Sequence, residues 1–366
     1  MSADVHGCRG CRSTRGEVVL DLGDQPAADC FPAAGDPGPD PRHPLALWWC
    51  ADCGLPQLLA DDTTPEEPRA IEPRAAVDQA HAAVAELLDA GLIAPGEYIE
   101  FASPHGGSWG DALQARGFSV AGGGRAPLVV DVYGLMHDRD QRAGLQARAD
   151  AVTEDGTLLL QFPTYAATLA RREWNAVRHG HFAYHSVPAA RRLLADVGLS
   201  VVASRTYPLY SGSVLLLASR SGDAPAAEQA AVDQLEDAEI VAGVRDPVAM
   251  RSLAAAVDED VTRLRAWVLA QPAGAWLYGA GSRAVALLAA ADLPHGAVAG
   301  IGDGAPAKHG RRMPGTDIAV VPPGAMLAAD PDSILLMLPD LADELRDTWP
   351  ALADRWVVWE GGPGAS

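Results

Sequence analysis

Two cysteine pairs, Cys8-x-x-Cys11 and Cys50-x-x-Cys53, offer four thiolates on two turns, the donor set and local spacing of a tetrahedral zinc site. A single C-x-x-C would point to thiol–disulfide exchange. Two pairs in one short segment argue for structural metal instead. The remaining cysteine, Cys30, reads as a spare buried thiol. Further along, His179, His181 and His185 form an H-x-H-x-x-x-H array within EWNAVRHGHFAYHS, a spacing that would also suit a metal ion.

These groups need elements to hold them. Residues 1–60 carry every cysteine, many turn formers (GDQPAAD, AAGDPGPDPRHP) and little periodicity, so this segment cannot bury enough apolar surface to fold without a staple. Asp78 to Leu92 has the spacing of a helix with Ala80, Val84, Leu87 and Leu88 on one face. From Glu97 the pattern is parallel α/β, with apolar runs at Tyr98–Phe101, Phe118–Ala121, Leu128–Val132 and Leu158–Phe162. A helix ending at Gly198 leads to strands at Leu199–Tyr207 and Val214–Ala218, joined by a short turn and expected as an antiparallel pair closing the sheet. Asp246 and Pro247 open a further helix whose apolar face runs from Met250 to Val268. A second α/β unit follows, with strands at Trp276–Tyr278, Val298–Ile301, Ile318–Val321, Ile334–Met337 and Trp356–Trp359.

The chain of 366 residues exceeds the roughly 250 to 300 at which one core stops growing, which predicts several domains. Their expected bounds are 1–60, 61–222 and 223–366. A net charge of -20 would repel phosphate backbones and anionic lipid, excluding nucleic acid and membrane surfaces as partners. With no long apolar run and no cleavable leader pattern, a soluble cytoplasmic protein is expected.

VLDLGDQPAADCF followed by HPLALWWCADCGLPQLL resembles the N-terminal zinc module of the nucleotide-sugar C-methyltransferases of antibiotic biosynthesis, which install branching methyls on deoxysugars. YGAGSRAVALLAAADL, IGDGAPAKHGRRMPGTDIAVV and ILLMLPDLADEL are similar to that family's C-terminal domain. The resemblance implies an α/β protein with a zinc-binding module, a methyltransferase-like Rossmann sheet, here truncated, and a smaller C-terminal Rossmann-like domain. It also places Gly279, Gly281 and Asp303 in a substrate-binding pattern. A glycine turn before a helix start cradles anions, and Lys308 and Arg311 would add charge for the diphosphate of a nucleotide-linked sugar.

The middle departs from the family. Glu100-Phe-Ala-Ser-Pro-His-Gly-Gly-Ser-Trp109 stands where the family's glycine-rich S-adenosylmethionine loop runs; Glu100, Ser103 and Gly106 keep the pattern, while Ala102 and His105 do not. The next strand leads through Gly122–Pro127 straight to Leu128. Six residues reach at most about 20 Å, too little for a parallel crossover, so the adenine-side helix and third strand are expected to be missing. No acid stands where the cofactor ribose is usually held. Family members take a proton from beside a keto group and methylate the enolate. The resemblance puts His137 and His181 in catalytic positions with His179 and Tyr184 beside them and His185 assisting, and it accounts for two of the histidines without a second metal. The resulting expectation is a repurposed enzyme of natural-product biosynthesis doing enolisation-type isomerase, epimerase or lyase chemistry without S-adenosylmethionine. A divergent S-adenosylmethionine-dependent C-methyltransferase and a non-catalytic partner protein are the alternatives.

Overall fold

The computed structural model describes residues 7–36, 38–63, 72–101, 103 and 109–360, and three sheets follow one another along it. The first is an antiparallel sheet of β1 (Gly16–Pro26), β2 (Arg42–Cys50) and β3 (Pro56–Leu58). The little periodicity of residues 1–60 conceals this sheet. β1 shifts register between Val18 and Leu20 and again between Asp21 and Asp24, and such bulges break the period-2 pattern that would have betrayed it.

The middle sheet is built from α1 (Arg74–Asp89), β4 (Glu97–Phe101), α2 (Gly110–Gln114), β5 (Ser119–Val120), β6 (Ala126–Val132), α3 (Gln141–Ala151), β7 (Val152–Pro163), α4 (Tyr165–Ala170), α5 (Val187–Asp196), β8 (Ser200–Tyr207) and β9 (Ser213–Ser219). Its order is β5-β4-β6-β7-β9-β8. The first four strands are parallel, and β9 and β8 close the sheet antiparallel. Val129, Val130, Leu158, Leu159 and Leu160 are buried, as central parallel strands covered on both faces require. Only Ala121–Arg125 separate β5 from β6, so no helix or third strand intervenes. The link from β5 past β4 to β6 is a short crossover, possible because β5 pairs with only Glu97 and Tyr98 and ends near the amino edge of the sheet, level with the start of β6.

α6 (Ala226–Val241) folds back onto the middle unit: Arg205 of β8 pairs with Glu228, and Arg191 of α5 with Glu236. The expected long helix divides into α7 (Pro247–Arg251), capped by the Asp246 side chain, and α8 (Leu253–Leu269). The C-terminal sheet contains β10 (Ala275–Tyr278), β11 (Val298–Gly302), β12 (Val320–Val321), β13 (Ile334–Leu336) and β14 (Trp356–Val358), all parallel in the order β12-β11-β10-β13-β14. Its helices are α9 (Ser282–Ala291), α10 (Pro323–Ala328) and α11 (Ala342–Thr348). Among the described residues no helix is long and apolar enough to cross a membrane.

Candidate functional site

The cysteines converge as expected. Cys8 and Cys11 lie on the turn before β1, Cys50 ends β2, and Cys53 follows on the next turn. The four sulfurs lie within 4.8 Å of one another, with Cys8 to Cys53 at 3.5 Å and Cys11 to Cys50 at 3.6 Å. A tetrahedron with 2.3 Å zinc–sulfur bonds has edges of about 3.8 Å, so this donor set fits zinc. Crowding spreads the acidities. Hydrogen bonds from Cys53 and Cys8 pull the Cys50 thiol far down, while Cys8 is pushed up to about 12 and Cys53 higher still. Cys30 lies outside the cluster.

The zinc module also holds the histidine segment. Tyr184 N donates to Pro56 O at 2.9 Å, Leu58 N donates to Phe182 O at 3.2 Å, and Gln57 bridges Ala183. Asp29 pairs with the buried Arg178. From the other side Phe182 N donates to Met136 O at 2.7 Å. The segment is thus clamped between β3 and the carboxyl edge of the middle sheet. There it lines a cavity of about 50 Å³ with Met136, Phe162, His181, Tyr184, His185 and the first turn of α9. α9 contributes Arg283, whose guanidinium bonds to Glu173, Ser211 Oγ and the Tyr210 carbonyl.

Hydrogen-bond partners set each imidazole's proton. Arg178 Nε donates to His181 Nε2 at 2.9 Å; a guanidinium cannot accept, so His181 carries its hydrogen on Nδ1. His137 packs edge-on to His181, ring centroids 4.8 Å apart, and its Nδ1 donates to Gly180 O at 2.9 Å. Burial, and then the Arg178 charge, push the His137 pKa down to about 3. Tyr184 accepts from Arg178 N at 2.9 Å, and burial pushes its phenol above the usual range. His179 points elsewhere: its Nε2 donates to Pro44 O at 3.2 Å and its ring packs on His43, so it docks the zinc module and does not line the cleft.

At the edge where the family resemblance places the cofactor, Glu100 accepts from Trp109 N at 2.9 Å, Ser103 is buried, and Gly106 lies outside the described residues. β5 stops beside Tyr98, three positions short of Phe101 at the end of β4, and so brings no residue to the carboxyl edge where a ribose would be held. Among the described residues, β5 therefore supplies no carboxylate for the hydroxyls of a cofactor ribose.

The C-terminal glycine turn is closed from within. Asp303 accepts from Ala280 N at 2.8 Å, and the buried Lys308 donates to Ala280 O at 2.8 Å with Asp303 3.8 Å away. Gly279 has φ +97° with Leu338 against it, and Gly281 caps α9. Arg311 donates to Phe31 O at 2.6 Å. Lys308 thus ties the turn after β10 to the turn after β11, and Arg311 docks the zinc module. A larger cavity of about 650 Å³ lies under the module's 34–42 loop, away from the histidines of the cleft, and its Arg312 is paired with Asp40.

Residues 208–358 match the family model described as "C-methyltransferase C-terminal domain", and residues 8–67 the one described as "Putative zinc binding domain". C-methyltransferase NovU of Streptomyces niveus is 26% identical over 227 residues, which are 61% of this chain and 54% of that protein. The match therefore spans about half the length of that curated relative. Among solved structures, 1,6-didemethyltoxoflavin-N1-methyltransferase of Burkholderia thailandensis shares 15% identity over 39% of this chain and 77% of its own, with a TM-score of 0.31. N-methyltransferase NodS of Bradyrhizobium japonicum shares 15% over 40% and 98%, with a TM-score of 0.29.

Proposed function

Because the chain belongs to the zinc-containing C-methyltransferase family, we propose that its histidine-lined cleft removes a proton beside the keto group of a sugar nucleotide or related natural-product intermediate, and that it does so without S-adenosylmethionine. Zinc held by Cys8, Cys11, Cys50 and Cys53 is structural: it lies in the turns that anchor the sheet carrying β3, and β3 in turn braces the histidines. Proton removal needs a base and a donor for the enolate oxygen. His181, with its hydrogen on Nδ1, supplies such a donor as a neutral imidazole.

The observation that supports the cofactor-free part is β5, which ends level with Tyr98 and so, among the described residues, brings no ribose-binding carboxylate to the carboxyl edge. The comparisons lend nothing to that part. They favour a second reading, C-methylation with S-adenosylmethionine, because the C-terminal match is to a C-methyltransferase domain and NovU is named for that activity. Titration of the zinc-loaded protein with S-adenosylmethionine and S-adenosylhomocysteine by calorimetry separates the two. No measurable heat of binding is expected, and a dissociation constant in the low micromolar range would restore methyl transfer.

A further inference from the structure

His185, to which the resemblance gives only an assisting part, lies between Tyr184 and the α5 cap Ser186. Its side chain is 2% exposed and lines the cleft cavity. Its Nε2 lies 2.9 Å from Gln141 Oε1. Gln141 cannot be turned around, because its amide nitrogen already donates to Leu135 O at 2.7 Å and Asp138 O at 2.6 Å, and carbonyls only accept. The oxygen therefore faces His185, whose hydrogen must sit on Nε2. Nδ1 is left as a bare lone pair, buried and without a hydrogen-bond partner among the described residues. An orphaned acceptor of this kind calls for a ligand or a function.

We propose that His185, through Nδ1, is the catalytic base of the cleft, with the Nδ1–H of His181 as the donor to the enolate oxygen. The inference rests on the enolisation reading above. The two imidazoles are held in complementary tautomers, one by Gln141 and the other by Arg178, and both residues line the cavity, so its lining includes a proton acceptor and a proton donor. The step balances without a co-reactant. Nδ1 takes the proton from the carbon beside the carbonyl, the C–H electron pair becomes the C=C bond, and the carbonyl π pair moves to the oxygen, which His181 stabilises. Return of the proton from Nδ1 to that carbon closes the cycle, and its exchange with solvent before return washes deuterium into the position. The ligand class is an enolisable ketone whose reacting end enters the cavity while the remainder stays outside, since about 50 Å³ does not hold a sugar nucleotide. Burial, and then the Arg148 charge, push the His185 pKa down to about 4, which keeps the base unprotonated at neutral pH. Carboxylate bases that abstract protons beside carbonyls have similar strength.

The test uses the full zinc-loaded chain in D₂O with a 4-keto-6-deoxyhexose nucleotide, reading deuterium wash-in beside the keto group by mass spectrometry. His185→Gln keeps a donor for Gln141 and lacks a base. Wild type should exchange, and His185→Gln should exchange about a hundredfold more slowly or worse, with the melting temperature of the variant measured alongside. Nitrogen-15 spectra of histidine-labelled protein should show His185 protonated on Nε2 only, a readout that needs no activity and no substitution. Equal wash-in by variant and wild type, or an Nδ1–H tautomer, would overturn the base. Absence of wash-in by wild type would instead sink the enolisation reading, and this inference with it.

Discussion

Glu239 gives the sharpest quantitative handle on the middle unit. It lies on the buried face of α6, 3% exposed, where its carboxylate accepts from Thr164 Oγ1 and from Val187 N, at the start of α5. Burial raises its pKa from 4.5 to about 7, against the pull of those two donors. An acid whose folded pKa is raised binds more protons folded than unfolded, so its contribution is fully present below pH 4.5 and is lost as pH rises to about 7. With each tenfold change in proton affinity worth about 1.4 kcal/mol, the loss totals roughly 3 kcal/mol. Glu239→Gln removes the proton and keeps both contacts, its oxygen accepting from Val187 and its amide donating to Thr164. In urea titrations from pH 4.5 to 8, variant and wild type should match at the acid end and diverge as pH rises, with the variant more stable by up to about 3 kcal/mol at pH 8. The zinc thiolates bend both curves alike and cancel in the difference. Parallel curves across the range would refute the assignment.

Freshly purified protein should contain one zinc per chain by metal analysis, and Cys50→Ser should make the first sixty residues protease-sensitive; less than half an equivalent of zinc counts against the site. His181→Ala should abolish most turnover without unfolding the protein, whereas His43→Ala, which removes a pairing with the exposed Asp62 and a ring contact with His179 but nothing that lines the cleft, should do little; equal activity of the two would move the reading to a non-catalytic partner. Lys308→Met should lower the melting temperature and leave nucleotide-sugar affinity within a few-fold, because the ammonium is spent on Ala280 O and Asp303; a large loss of affinity at unchanged stability would return it to the substrate site.

The zinc ligands were legible because coordination constrains residue type and spacing together, and the missing strand because six residues are too few to hold a helix and a further strand. Runs such as Leu128–Val132 and Leu158–Phe162 announced the central strands by their continuous apolar character. β1 was hidden by its bulges. The five-residue return from β5 escaped the rule for parallel connections because a two-residue strand has almost no edge to climb. Charge was the least legible feature. Lys308, Arg311 and His179 have the types that bind ligands, and only the fold shows that carbonyls 28, 280 and 135 positions away in sequence have claimed them. The proton on His185 was equally hidden, since it is decided by Gln141, 44 positions upstream.

The bridge between β3 and the histidine segment has a thermodynamic corollary. If metal in the four-cysteine pocket narrows the range of positions open to Phe182–Tyr184, occupancy of the cleft must in turn tighten the hold on the metal by the same factor. A molecule engaging only the histidines would then slow zinc loss to a chelator. The metal, far from any reacting bond, would act as an allosteric effector of the chemistry, and scarcity of zinc would be felt as weaker substrate recognition before it was felt as unfolding.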